Sequence, residues 1–319
     1  MDWFGVGVNG PLIAVRTIHF GATAVTAGTV IFRTVVAEPA LRSEPAAAKL
    51  VRTQTLSVAW IGLAIAALSG LIWLLLEAIS MSGLPFGEAL TARVLQTVLN
   101  QTQFGQVAEV RGLLAIVLAA CLTAQRFVWT NWLAFAVALG LTVAIAWTGH
   151  AGSTLGAIGN LHVAADALHL LAAAAWIGGL VPLVVLLAAV GRDPTVAGAS
   201  QARDATRRFS TLGAISVATL AASGIVNAWM LVGSVHALLV TEYGQLLMLK
   251  LGIFAMMLGF AAVNRFWLTP RLVLSMANGP RRDALRQLTR NSTIEIGLGL
   301  AIFAIVGMLG TLHPATHLL

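Results

Sequence analysis

Charge is what this sequence has least of. Asp, Glu, Lys and Arg make up 10% of its 319 residues, against about a quarter in a soluble domain. Hydrophobic residues make up 58% and the mean hydropathy is +0.89, which excludes a soluble globular class. Cysteine is nearly absent too. Cys121 stands alone, so there is no intramolecular disulfide and no CxxC metal motif, and His, Met and carboxylates remain as possible ligands. An HExxH helix, a P-loop, a GxSxG elbow and a dinucleotide fingerprint are all missing. The expected class is therefore not an enzyme, and ATP-driven transport by this sequence alone is excluded. The net charge of +7 does not point to nucleic acid, because the basic residues are scattered through short loops between apolar runs. Met1 to Pro11 carries neither a basic region nor a small-residue cleavage signature, so the first apolar stretch is expected to be retained as a span.

What is present is a series of long apolar runs. Crossing the hydrocarbon takes about 20 apolar residues, and eight stretches qualify, near 12–35, 56–79, 105–126, 132–150, 161–190, 209–232, 245–267 and 292–313. The fold expected is all-α, a polytopic helix bundle in a lipid bilayer. Alternate loops hold Arg33, Arg42, Lys49 and Arg52; Arg126; Arg192, Arg203, Arg207 and Arg208; and Arg265, Arg271, Arg281, Arg282, Arg286 and Arg290. The opposite loops hold only Arg93. The positive-inside rule then puts both termini outside the cytoplasm.

The two halves repeat. Thr102-Gln-Phe-Gly-Gln106 opens the third span and Thr241-Glu-Tyr-Gly-Gln245 the seventh. A cation follows each glycine by six positions (Arg111, Lys250), and an Arg-Phe pair follows it by 21 (Arg126, Arg265). Ser69-Gly70 aligns with Ser223-Gly224, and Thr148-Gly-His150 with Thr311-Leu-His313. His19 aligns with His169, each followed nine residues later by a glycine, Gly28 and Gly178. Four helices repeated without inversion predict one membrane domain of two similar halves, about 1–150 and 151–319, related by an axis along the membrane normal.

Placed on this topology, all seven histidines fall on the side away from the basic loops. The repeat pairs His19 with His169 and His150 with His313, so four imidazoles can converge around the axis. In the fifth span His162, Asp166 and His169 follow i, i+4, i+7 spacing and share one helix face with Trp176. Imidazole and carboxylate suit a borderline divalent ion or copper, and an Asp inside a span marks a site unless it is paired. The structural alternative ties Asp166 to Arg16, its counterpart in the repeat. Arg111 is expected to face the bundle interior as a counter-charge and Lys250 to snorkel to the interface. Met81, Met230, Met248 and Met308 offer thioethers on the outer side, although methionine is common packing in such spans. Ser69-Gly70 and Ser223-Gly224 read as close helix contacts.

Several of these strings resemble one family. Trp147-Thr-Gly-His150, His162-xxx-Asp166-xx-His169, Trp176-Ile-Gly-Gly-Leu180, Ser223-Gly-Ile-Val-Asn227, Asn264-Arg-Phe-Trp and Arg16-xx-His19-Phe are similar to the bacterial CopD copper-resistance membrane proteins. The resemblance implies an inner-membrane protein that handles copper at its periplasmic side, commonly as an importer working with the carrier CopC. Carried over by position, it makes His19, His150, His162, Asp166 and His169 the ligand set, to which the repeat adds His313. Copper in either oxidation state is compatible with these donors. No CopC-like domain is fused to this sequence, so a carrier is expected to be a separate protein. Cys121 and Met256 or Met257 are the inner residues able to receive copper. Two alternatives stand beside copper import: a haem b electron-transfer protein with bis-His ligation, by His19 with His169 or His150 with His313, and a membrane scaffold or sensor for a periplasmic copper carrier.

Overall fold

The computed structural model describes residues 9–41, 45–125, 127–154, 156–192, 196–274 and 281–317. Arg42 and Arg126 lie outside the described residues, as do Met1 to Val8 and the side chains of Lys49, Arg281, Arg282 and His317. The described chain is 93% helix without a strand. Eight helices are long and apolar enough to cross a membrane: α1 (Gly10–Ala40), α2 (Val51–Ser82), α3 (Gln103–Thr123), α4 (Val128–Thr148), α5 (Gly156–Arg192), α6 (Ala202–Val232), α7 (Glu242–Leu272) and α8 (Asp283–Leu309). Every expected span is found. Helices α1, α2, α6 and α8 run further toward the arginine-rich loops than expected, because a helix that continues past the hydrocarbon with polar residues leaves no hydropathy signal. Helix α8 also stops at Leu309, so His313 follows the span rather than closing it.

Two helices form the centre. In α1, 83% of the most apolar stretch is buried and in α5 67%, against 6% in the peripheral α7. Helix α1 packs on α2, α4 and α8, and α5 packs on α6, α8 and α4, so the neighbours of α1 in one half match those of α5 in the other. The two central helices meet where the repeat places Gly28 and Gly178. A Cβ on Gly28 would overlap the Ala174 carbonyl oxygen and the backbone of Gly178, and one on Gly178 would overlap the Ala24 carbonyl oxygen. Only glycine lets the backbones approach this closely.

The repeated Thr-x-x-Gly-Gln motif has a local cause. Thr102 Oγ1 accepts from Gly105 N and Thr241 Oγ1 from Gly244 N, both at 3.0 Å, so each threonine caps its helix. Each motif follows a short helix, Ala92–Gln101 and Val235–Val240. Gly105 and Gly244 lie against those helices so closely that a Cβ would overlap a carbonyl oxygen. Gln106 and Gln245 then reach back to the same helices, Nε2 donating to the carbonyls of Asn100 and Leu239 at 3.5 and 3.4 Å. Three residues thus fix how each half turns into its third helix, and with it the positions of Arg111 and Lys250.

Candidate functional site

The two central histidines sit in matching cradles. His19 Nδ1 lies 3.1 Å from Ser69 Oγ, and His169 Nδ1 lies 3.0 Å from Ser223 Oγ. Each serine also donates back to its own helix, at 2.6 Å to the Ile65 or Thr219 carbonyl. The glycine after each serine leaves room for the ring: the nearest atoms to a Cβ on Gly70 or Gly224 are His19 Cε1 and His169 Cε1. The Ser-Gly pairs are therefore histidine holders rather than only close helix contacts. Because Ser69 is on α2 and Ser223 on α6, each ring is bonded within its own half, and a haem shared by His19 and His169 finds no support in this arrangement.

Beyond that common cradle the halves differ. Arg111 seals the first. Its Nη2 lies 2.6 Å from His19 Nε2 and donates to Thr23 Oγ1 at 3.3 Å, while Nη1 donates to the Leu141 carbonyl at 2.5 Å. Both ring nitrogens of His19, which is 4% exposed, are therefore engaged. Trp73 packs edge-on against the ring and carries the Arg16 guanidinium over its own face, 5.2 Å from the centroid. A cavity of about 560 Å³ between α2 and α3 reaches His19, Arg111 and the exposed Glu109.

In the second half the ring is left open. Among the described residues the His169 ring bonds Ser223 Oγ and meets the Leu220 backbone, and no bond is found at Nε2. One turn earlier Asp166 Oδ1 accepts from Asn227 Nδ2 at 3.2 Å. The Asn227 Oδ1 is buried with no partner. Lys250, half-buried, lies near enough to act electrostatically on both Asp166 and His169. It is thus a counter-charge to Asp166, at a distance longer than an ion pair among the described residues. Nor does Asp166 tie to Arg16, whose Nη1 donates to the Gly310 carbonyl at 3.0 Å.

Above these, toward the helix ends, His162 and His150 form a second group. His162 is 2% exposed, and its Nδ1 lies 3.1 Å from Thr154 Oγ1, which in turn donates to the His150 carbonyl at 3.2 Å. The two imidazoles are close enough to influence one another electrostatically. His150 Nε2 reaches the Leu309 carbonyl at 3.4 Å and the ring lies edge-on to Tyr243. His313 is exposed beyond α8, and Met81 and Met248 are exposed on their helices. Among the described residues no three His, Cys, Asp or Glu side chains are gathered at one point. At the Gly28–Gly178 contact the backbones of the two halves touch, leaving no open space at that point. Of the inner candidates, Cys121 lies beside Arg33, Thr29, Thr55, Gln125 and Asn131, Met257 is fully buried and Met256 is exposed.

Comparison with known proteins decides the family. The description "Copper resistance protein D-like, N-terminal domain" matches residues 8–160, and "Copper resistance protein D" matches residues 203–309. Together they take in both halves. This chain belongs to the copper resistance protein D family. It is 32% identical over 171 residues to copper resistance protein D of Pseudomonas syringae pv. tomato, a match that spans 53% of this chain and 55% of that protein. It is 29% identical to inner membrane protein YebZ of Escherichia coli K12, across 95% of this chain and 98% of the relative. Copper transport protein CutJ of Bacillus subtilis is 29% identical across 92% of this chain and 51% of its own length. No solved structure matches.

This CopD-family protein also has a polar group that the sequence reading passed over. Glu295, on α8 toward the arginine-rich face, is 1% exposed. Asn264 Nδ2 donates to its Oε1 at 2.6 Å, Asn291 Nδ2 donates to Asn264 Oδ1 at 3.1 Å, and the Trp176 indole also donates to the carboxyl. Trp176 and Asn264 each lie in a wide π turn, Ala174–Gly178 in α5 and Asn264–Leu268 in α7. Such turns re-aim side chains and recur at functional positions. The signal was available: Thr293-Ile-Glu295-Ile is an acid inside an apolar run, the same signal that singled out Asp166.

Proposed function

We propose that this chain takes up copper from the periplasm at the outer end of its second half and passes it across the bacterial inner membrane. Both termini are periplasmic in this reading, and the halves 1–150 and 151–319 act as one membrane domain. Copper first meets His150 and His162, where α4, α5 and α8 come together, and then Asp166 and His169 one and two turns deeper. A separate CopC-like carrier supplies it.

One observation carries the site. In the second half an open imidazole nitrogen, a carboxylate and the unpartnered, buried Asn227 oxygen lie within two helical turns. A buried acceptor without a partner costs about 1–3 kcal/mol, and a bound ion or its water offsets that cost. Imidazole and carboxylate donors suit copper. His19 and His313 are left out of the set, the first because both its nitrogens are engaged and the second because it is exposed apart from the others. Lys250 balances Asp166 while the site is empty. Its flexible ammonium can swing away, which the guanidinium of Arg111, fixed by three bonds, cannot do readily.

Asp166→Asn tests the reading. An amide keeps a partner for Asn227 and removes the negative charge. Copper accumulation by cells, measured at matched protein level, is expected to fall by at least the roughly 10–100-fold lost when a group that only orients a metal ligand is removed. Accumulation equal to wild type would sink the proposed path through Asp166.

A further inference from the structure

Glu295 is a buried acid with no balancing cation among the described residues. Among the described residues it takes part in no ion pair, and its hydrogen bonds come from the neutral donors Asn264 and Trp176. An ionised carboxylate without a counter-charge is costly in a membrane interior, so such a group either carries a proton or holds a cation brought to it. Beside it lies a cavity of about 290 Å³, lined by Glu295, Asn264, Ser292, Thr206 and Trp176 and reaching exposed Arg265 and Phe266 at its edge. The volume is enough for several waters. The rest of its wall is mainly apolar, but Thr206, 3% exposed, lines it with a buried Oγ1 that has no partner among the described residues, a hydroxyl that a water in the cavity would satisfy.

Of the groups around this cavity, α5 contributes Trp176, α6 contributes Thr206 and Ser210, α7 contributes Asn264 and Arg265, and α8 contributes Ser292. Arg265 is the one charged side chain among them apart from Glu295, and its Nη1 is committed to the Ser210 carbonyl and hydroxyl at 2.6 and 2.9 Å. The first half differs at the matching place. At the corresponding position Gln125 replaces Asn264, and a space of only about 10 Å³ remains beside Arg33 and Cys121. The polar groups around Glu295 are hydroxyl, amide and indole, with no thiolate, thioether or imidazole among them, a poor match for Cu(I) and a good one for a proton carried through water.

We infer that Glu295 and its cavity form a proton-binding site that exchanges protons with the arginine-rich face of the membrane. Proton binding does not depend on copper; use of that proton to drive copper movement rests on the copper reading. Infrared difference spectroscopy on the purified full chain tests the site directly. A carboxylic-acid carbonyl band, shifted in D₂O and lost on raising bulk pH, is expected in wild type and absent from Glu295→Gln. Copper analysis of the same two samples is expected to give equal content, because the outer site is untouched. If Glu295→Gln leaves the carboxylic-acid bands unchanged, or if the Glu295 band ignores bulk pH, the proton site is overturned. Loss of copper from both samples would count against the copper reading alone. Thr206→Val, which removes the unpartnered hydroxyl while keeping the shape, should slow the pH response of the band; an unchanged rate would contradict entry through the cavity.

Discussion

A protein carrying His162→Ala and His169→Ala is expected to purify folded and without stoichiometric copper, whereas His19→Gln is expected to keep its copper. The contrast follows from hydrogen bonding rather than from position in the repeat. His19 and His169 share a serine holder, a glycine seat and nearly the same depth. Arg111 occupies the second nitrogen of His19, so copper could bind there only by displacing a buried guanidinium that is also tied to Leu141 and Thr23. His169 asks for no such displacement. Glutamine is chosen at position 19 because it still offers Arg111 an acceptor; alanine would strand a buried charged donor, which costs more than the about 1–3 kcal/mol of a neutral one. Metal analysis at matched folded fraction reads the result. Copper retained by the double variant, or lost from His19→Gln while wild type holds it, would place the site in the wrong half.

The second large effect concerns the joint between the halves. Gly178→Val should leave little folded protein, because its side chain would press into the Ala24 backbone of α1 and no rotamer avoids backbone. Overpacking a core costs on the order of 3 kcal/mol even when side chains can yield, and here none of the overlapping atoms is a side chain. Gly252→Ala is the control. Nothing lies within 4 Å of a Cβ at Gly252, and alanine favours helix over glycine by about 1 kcal/mol. Thermal unfolding in detergent should separate the two clearly. A Gly178→Val protein as stable as wild type would mean that α1 and α5 do not cross at this point.

The fold was readable because its causes are local. Hydropathy marks the spans, and the Thr-x-x-Gly-Gln motif announces a cap, a close approach and a back-reaching glutamine within five residues. Histidine placement was readable to the level of helix and depth. The direction of each ring was not, since it depends on serines 50 and 54 residues away in sequence. The same limit hid the role of Lys250. Snorkelling is the default for a lysine near a span end, and only the packing of α7 against the second half brings it to Asp166. Glu295 lies apart from the outer face where the histidines gather, so their clustering gives no hint of it, although an acid in an apolar run is informative at any depth.

The central claim is that copper sits on imidazole and carboxylate of the second half. X-ray absorption at the copper edge on the loaded full-length protein measures the ligands directly. A first shell of nitrogen and oxygen with imidazole scattering is predicted, with fewer imidazole contributions in His169→Ala. A shell dominated by sulfur, from Cys121 or the methionines, would contradict it.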